Sequence, residues 1–230
     1  MTWRVSGAQF ADRHDAGLQL AAALDFLKDQ VPVVLALPRG GVPIGVEVAR
    51  RLHAPLDLVM VRKIGVPWQP ELAYGAVVDG DEPETVINQD IAAQVGLPAG
   101  YLEEETARQL DEIARRRAIY LKDRARPGIS GRTAIIVDDG IATGATVRAA
   151  LIGVRRSEPR QLVLAVPVAP GDTVAALEKD ADRVVCLHAP MMFGAISLFY
   201  GDFHQVSDDE VVGFLDAFAA EAGNAGPAGG

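Results

Sequence analysis

Four stretches of this chain are apolar almost from end to end: VPVVLAL (31–37), RTAIIVD (132–138), QLVLAVPVA (161–169) and RVVCLH (183–188). None alternates apolar with polar residues, so a sheet built from them must be covered on both faces. Helical stretches fall between them: PIGVEVARRL, with Pro43 suited to a first turn, residues 143–156, and DTVAALEKDA (172–181). PLDLVMVRKI (55–64) reads as a further strand, as do LAYGAVV (72–78) and the short TVI (85–87). Leu18, Leu20, Leu24 and Leu27 mark an N-terminal helix. Strands alternating with helices predict an α/β fold, a mostly parallel sheet with helices on both faces. In open sheets of this kind ligands bind at the carboxyl ends of the strands, near a topological switch point. The residues that directly follow the strands are therefore the informative ones.

A chain of 230 residues, about half of them apolar, suits one domain with a sizeable core. That domain is expected over 1–220, with the small-residue stretch EAGNAGPAGG (221–230) as a disordered tail. The formal net charge of −9 argues against a nucleic-acid partner. The single cysteine, Cys186, excludes an intrachain disulfide and sits in a strand-like run, which fits a buried thiol better than a nucleophile. The first residues lack the apolar core of a secretory signal, and no apolar run is long enough to span a bilayer. A cytoplasmic protein with no membrane partner is the expectation.

Residues 88–126 break the alternation. Asn88 can cap a short helix, and a long polar helix follows from Tyr101 to Ala125 with a stripe of Leu110, Ile113, Ala114 and Leu121. Asp111–Arg115 and Glu112–Arg116 have the favourable i,i+4 order. The run Arg115, Arg116, Arg117 reads as a solvated helix face rather than an anion site.

The most informative string is AIIVDDGIATGAT (134–146). Its strand ends at Val137, so Asp138 and Asp139 emerge at the carboxyl edge of the sheet, and the small residues Ala142, Thr143, Gly144, Ala145 and Thr146 lead into a helix. Unpaired N–H groups at a helix N-terminus favour a phosphate, and small residues let it approach the backbone. Carboxylates would repel that phosphate, but they can accept hydrogen bonds from sugar hydroxyls or help hold a hydrated Mg²⁺. A sugar phosphate satisfies both halves of the string. A Walker A lysine is missing, and no Gly-x-Gly-x-x-Gly follows a strand, so neither of those nucleotide motifs applies.

IIVDDGIATGAT closely resembles the 5-phosphoribosyl-1-pyrophosphate (PRPP) motif of type I phosphoribosyltransferases, and the helical insertion resembles a feature of a poorly characterised group within that family. The resemblance implies a type I phosphoribosyltransferase-like fold, with 88–126 as a helical insertion and 189–211 as a small C-terminal hood that reads the acceptor. It implies that Asp138 and Asp139 hold the ribose 2′- and 3′-hydroxyls, and the metal directly or through water, while Ala142 to Thr146 take the 5′-phosphate. LPRGG (37–41) then corresponds to the pyrophosphate loop, which in the family often contains a non-proline cis peptide; Arg39 and the N–H groups of Gly40 and Gly41 suit that task. VRKIGVPWQPELAYGAV (61–77) corresponds to a flexible loop that closes over the site. Lys63 in it can reach pyrophosphate or be an ordinary strand-end lysine, and Glu71 can be a base or a solvated carboxylate. In the hood, Tyr200 and Phe203 offer faces for a flat ring, together with Phe199, and Asp202 can accept a proton from the acceptor; core packing is the alternative for the aromatics. His204 reads as structural.

The implied activity is Mg²⁺-dependent transfer of the phosphoribosyl group from PRPP to a nitrogenous acceptor, a nucleobase in most of the family, with release of pyrophosphate; a homodimer is compatible with it. Asp138, Asp139, Arg39 and Lys63 are the residues expected to carry the reaction. Hypoxanthine-guanine enzymes usually have an aspartate where this chain has Ala142, and adenine enzymes often have Ala-Thr-Gly there, which together with Asp202 tilts the expectation toward an amino-bearing base. The alternatives are a non-catalytic PRPP-sensing regulatory protein and other chemistry on the same sugar-phosphate site.

Overall fold

The computed structural model describes residues 9–80 and 82–224. In chain order the strands are β1 (Pro32–Ala36), β2 (Leu56–Leu58), β3 (Val61–Val66), β4 (Gln69–Val78), β5 (Glu84–Ile87), β6 (Thr133–Val137), β7 (Gln161–Val168) and β8 (Arg183–His188). The α-helices are α1 (Arg13–Ala23), α2 (Gly41–Leu52), α3 (Gln89–Ala92), α4 (Tyr101–Leu121), α5 (Ala145–Arg155), α6 (Gly171–Leu177) and α7 (Asp208–Asn224). Five strands form a parallel sheet in the order β2-β1-β6-β7-β8. β1 and β6 are neighbours, and the chain departs from them in opposite directions, so the switch point lies between their carboxyl ends.

Side chains of these strands alternate between two apolar layers, as a pleated strand requires. Ala134 and Ile136 of β6 pack with Ala149, Ala150 and Val154 of α5, whereas Ile135 and Val137 face the layer that holds Ala16 and Leu20 of α1 and Ile44 and Val48 of α2. Both layers are buried, which explains why the strands carry no polar alternation. Among the described residues no helix is long and apolar enough to cross a membrane.

The stretch 55–64 is not one strand. β2 ends at Leu58, Val59 N–H donates to the Ala36 carbonyl, and the chain then leaves the parallel sheet. β3, β4 and β5 form a separate antiparallel sheet, so the expected closing loop at 61–77 is a β-hairpin with Trp68 exposed at its turn. The insertion braces it. Tyr101 Oη donates to the Gly65 carbonyl at 2.9 Å, and Arg62 Nε donates to Gln109 Oε1 at 2.9 Å.

Helix α4 ends at Leu121 rather than Ala125, and it differs from its expected pattern in two further respects. Ala114 is exposed; the buried residues are Glu105, Gln109, Ile113, Tyr120 and Leu121. Arg117 does not share the solvated face of Arg115 and Arg116, which pair with Glu112. It points inward, reaching Asp57 at 2.9 Å, Asp79 at 2.6 Å and the Leu58 carbonyl at 3.1 Å. Arg126 also bonds Asp79. Arg117 thereby fastens the insertion to β2 and to the residue after β4, at the base of the hairpin, where Asp79 N–H donates to the Met60 carbonyl. Asn88 caps α3 as expected, by accepting from Ile91 N–H. At the other end of the chain, α7 continues through Asn224, past the expected start of the tail; residues 225–230 lie outside the described residues.

Candidate active site

Two loops meet at the switch point. The first follows β1: Leu37 N–H donates to the Val137 carbonyl at 2.9 Å, and α2 begins at Gly41. The Pro38–Arg39 peptide is cis. The second follows β6 and carries Asp138 and Asp139. The loops touch: a Cβ on Gly40 would lie 1.9 Å from Asp139 Oδ2, and one on Gly41 would lie 2.6 Å from the Val137 carbonyl. Only glycine lets the first loop lie against the carboxylates. Gly40→Ala is therefore expected to displace the Asp139 carboxylate or the loop, with an overpacking cost of about 1–3 kcal/mol; thermal unfolding and pyrophosphate titration measure the two consequences. The Gly41 N–H is already bonded to the Leu37 carbonyl at 3.0 Å, so the expectation that it serves an anion is corrected: Gly40 N–H and the Arg39 side chain remain for that task. Arg39 itself is half-buried, with Nη1 3.5 Å from Asp208 Oδ1 at the start of α7; the same oxygen accepts from Tyr120 Oη of the insertion at 2.6 Å. Burial, and secondarily that bond, push the Tyr120 hydroxyl up to about 12.

The carboxylates are not equivalent. Asp138 Oδ1 accepts from Asp139 N–H at 2.8 Å, and Asp139 Oδ2 accepts from Arg13 Nε at 2.8 Å. Asp138 Oδ2 and Asp139 Oδ1 take no hydrogen bond from another residue among the described residues. Burial, and then the charge of Asp139, push Asp138 well above the usual carboxylate range; burial raises Asp139 too, with Arg13 opposing it. These two carboxylates are the only acidic groups of the site's own loops, and among the described residues no cluster of three metal-ligating side chains occurs. That donor set fits an ion that keeps most of its water and takes further ligands from a phosphate, as Mg²⁺ does.

After Gly140 the chain enters the small-residue loop. Gly144 takes φ +78° at the N-cap of α5, and no side chain caps that helix end. The helix therefore starts at Ala145, two residues later than expected, and its first N–H groups face out of the loop beside the exposed Thr143 and Thr146. Thr173 Oγ1 donates to the Ala142 carbonyl at 3.2 Å and fixes the loop's start. The result is an uncapped helix N-terminus, suited to a phosphate.

The remaining expected residues fall in two places. Lys63 and Glu71 face each other across the hairpin, with Lys63 Nζ 2.9 Å from the Glu71 carbonyl and 3.2 Å from Oε2, so they form a pair in the second sheet. Tyr200 is not a stacking face. It is 5% exposed, its ring packs between Phe10 and Phe203, and its hydroxyl donates to the Asp139 carbonyl at 2.6 Å. Phe203 packs against Tyr200 and carries the Arg13 guanidinium over its ring at 3.9 Å. Asp202 is exposed and accepts from His204 N–H at 3.0 Å; His204 also meets Glu210 at 2.9 Å, and these two acids raise its basicity, Glu210 first. Cys186 is half-buried in β8, and burial pushes its thiol up.

Sequence reasoning missed Arg13. It is the first residue of α1, 8% exposed, and lies 126 positions from the carboxylate it grips. One signal was present: a cation in the first turn of a helix opposes the helix dipole and needs another reason to be there.

A profile of the family described as "Phosphoribosyl transferase domain" matches residues 13–203. Two Mycobacterium tuberculosis proteins, from strains H37Rv and CDC 1551, each bearing the name "Putative phosphoribosyl transferase", are 48% identical over 217 residues, or 94% of this chain. The chain spans about half the length of these relatives, 48% of each. A crystal structure of TT1426 from Thermus thermophilus superposes with a TM-score of 0.79 at 44% identity, over 91% of this chain and 99% of that one. The acidic pair, the uncapped small-residue loop and the arginine-glycine loop thus sit on a framework shared with these proteins, and the chain belongs to the phosphoribosyl transferase domain family.

Proposed function

We propose that this domain transfers a phosphoribosyl group from PRPP to a nitrogenous acceptor, a nucleobase, and releases pyrophosphate. The observation that carries this reading is the contact between Gly40 and Asp139, which sets the arginine-glycine loop directly against the carboxylates. A ligand there presents one phosphate to the α5 N-terminus, two hydroxyls to the carboxylates and a second phosphate group to Arg39. PRPP has those groups in that order.

In this assignment the N–H groups at the start of α5 and the hydroxyls of Thr143 and Thr146 hold the 5′-phosphate. The oxygens left open on Asp138 and Asp139 accept from the ribose hydroxyls and fix the ring. Arg39 and the Gly40 N–H bind the departing pyrophosphate, which stabilises the charge that grows on it as the C1′ bond breaks. The transition state is oxocarbenium-like, as in glycoside chemistry, and needs no covalent bond to the protein. Mg²⁺, held by Asp138 and Asp139 directly or through water, would supply neutralisation of pyrophosphate charge. Lys63 and Glu71 lie on the hairpin, where closure toward the sheet would exclude water.

Arg39→Ala separates the subsites. It should weaken PRPP and pyrophosphate by about tenfold to a hundredfold, the scale of one charged hydrogen bond, and leave ribose 5-phosphate nearly unchanged. Calorimetric titration with the three ligands is the check, and equal losses for all three would place Arg39 outside the pyrophosphate subsite.

A further inference from the structure

We infer that Arg13 is the positioning residue of the ribose-binding carboxylates, acting through Asp139; this rests on the phosphoribosyl-transfer reading above. Four observations converge on it. Arg13 is buried, and its Nε donates to Asp139 Oδ2 at 2.8 Å. Its Nη1 donates to the His204 carbonyl at 2.8 Å. Its guanidinium lies 3.9 Å over the Phe203 ring. The helix that carries it is anchored next door, where Asp12 caps α1 by accepting from Asp15 N–H at 2.8 Å.

A planar fork can hold a carboxylate and a carbonyl in fixed directions at once, and it stacks on an aromatic face; an ammonium group does neither equally well. The consequence for Asp139 is geometric. Its Oδ2 is turned toward Arg13 and Gly40, its backbone carbonyl is held by Tyr200 Oη, and only Oδ1 is left for a sugar hydroxyl. Arg13 also places a positive charge beside two adjacent, largely buried carboxylates that repel each other. Through His204 it ties the 200–207 segment to the same carboxylate. Arg13 touches no reacting atom in this arrangement; its effect on ligand passes through Asp139.

The test uses Arg13→Met, which keeps the side chain's length without its charge, and Arg13→Lys, which keeps the charge without the fork and gives the answer if Arg13→Met does not fold. Each is titrated calorimetrically with ribose 5-phosphate and with pyrophosphate, without added Mg²⁺, after thermal unfolding confirms a cooperative fold. Ribose 5-phosphate affinity should fall by about tenfold to a hundredfold, the scale of one hydrogen bond to a charged group, while pyrophosphate affinity stays within about twofold. A double variant, Arg13→Met with Asp139→Asn, should bind ribose 5-phosphate no more weakly than Asp139→Asn alone, since residues acting as a unit are not additive. Equal losses for both ligands would mean general disruption and overturn the proposal, as would additive losses or unchanged ribose 5-phosphate binding. Wild-type protein that binds neither ligand would overturn the phosphoribosyl reading itself, and the role of Arg13 with it.

Discussion

Replacing both carboxylates, Asp138→Asn with Asp139→Asn, should lower PRPP affinity by about a hundredfold to ten-thousandfold. Each lost hydrogen bond from a sugar hydroxyl to a charged acceptor is worth about 1.5–3 kcal/mol, and two are removed. The variant also relieves repulsion between neighbouring buried charges, so the fold should survive. Arg13 is the residue placed at risk, because it loses its ion-pair partner. Pyrophosphate binding should change far less, since Arg39 and the Gly40 N–H stand on the other loop. Calorimetry on the folded variant checks both statements; unchanged PRPP affinity would remove these carboxylates from the ribose site.

Arg117→Met should destabilise the domain by about 3–5 kcal/mol, because it removes one partner from a buried ionic network. The Asp57 and Asp79 side chains are only 8% and 3% exposed. Arg126 still reaches Asp79, so among the described residues Asp57 is left without a cation bonded to it and feels Arg126 only through its charge. For a chain of this size the unfolding midpoint should fall by roughly 6–20 °C. Burial already pushes Asp57 upward, with Arg117 the chief influence against it. Without Arg117 the folded-state value rises further above the unfolded one. The penalty is then full at high pH, where the folded state must hold the charge, and shrinks as pH falls and Asp57 takes up a proton. Midpoints measured at several pH values, and partial recovery in Arg117→Met with Asp57→Asn, check the assignment. Because this network holds the base of the β3–β4 hairpin, the variant should also raise the Michaelis constant for PRPP.

The parallel sheet was legible because continuous apolar runs have few places to go, and four of its five strands lie where those runs do. The geometry of the loop after β6 was legible because one contiguous string carries the carboxylates, the glycine turn and the helix start. Residues 55–64 misled because the apolar run Leu58, Val59, Met60, Val61 crosses the junction between β2 and β3 without a break; the change of sheet at Val59 and Met60 depends on pairing with Ala36 and Asp79, far away in sequence. Arg117 was hidden in a run of three arginines, since neighbours on a helix differ by about 100° in direction and only packing decides which points inward. Tyr200 and Arg13 escaped for a related reason. Each meets Asp139 from a distant part of the chain, 61 and 126 positions away, and nothing local distinguishes an aromatic that holds a backbone carbonyl from one that faces a ligand.

The most direct measurement is pyrophosphate release from PRPP in the presence of Mg²⁺ and a panel of nucleobases, with each base also omitted in turn. The account predicts release that depends on PRPP and on one class of base, is lost in the Asp138→Asn, Asp139→Asn variant, and accompanies formation of the matching nucleoside monophosphate. Tight PRPP binding with no release for any base would contradict transfer and leave a PRPP-sensing domain; no PRPP binding at all would contradict the site.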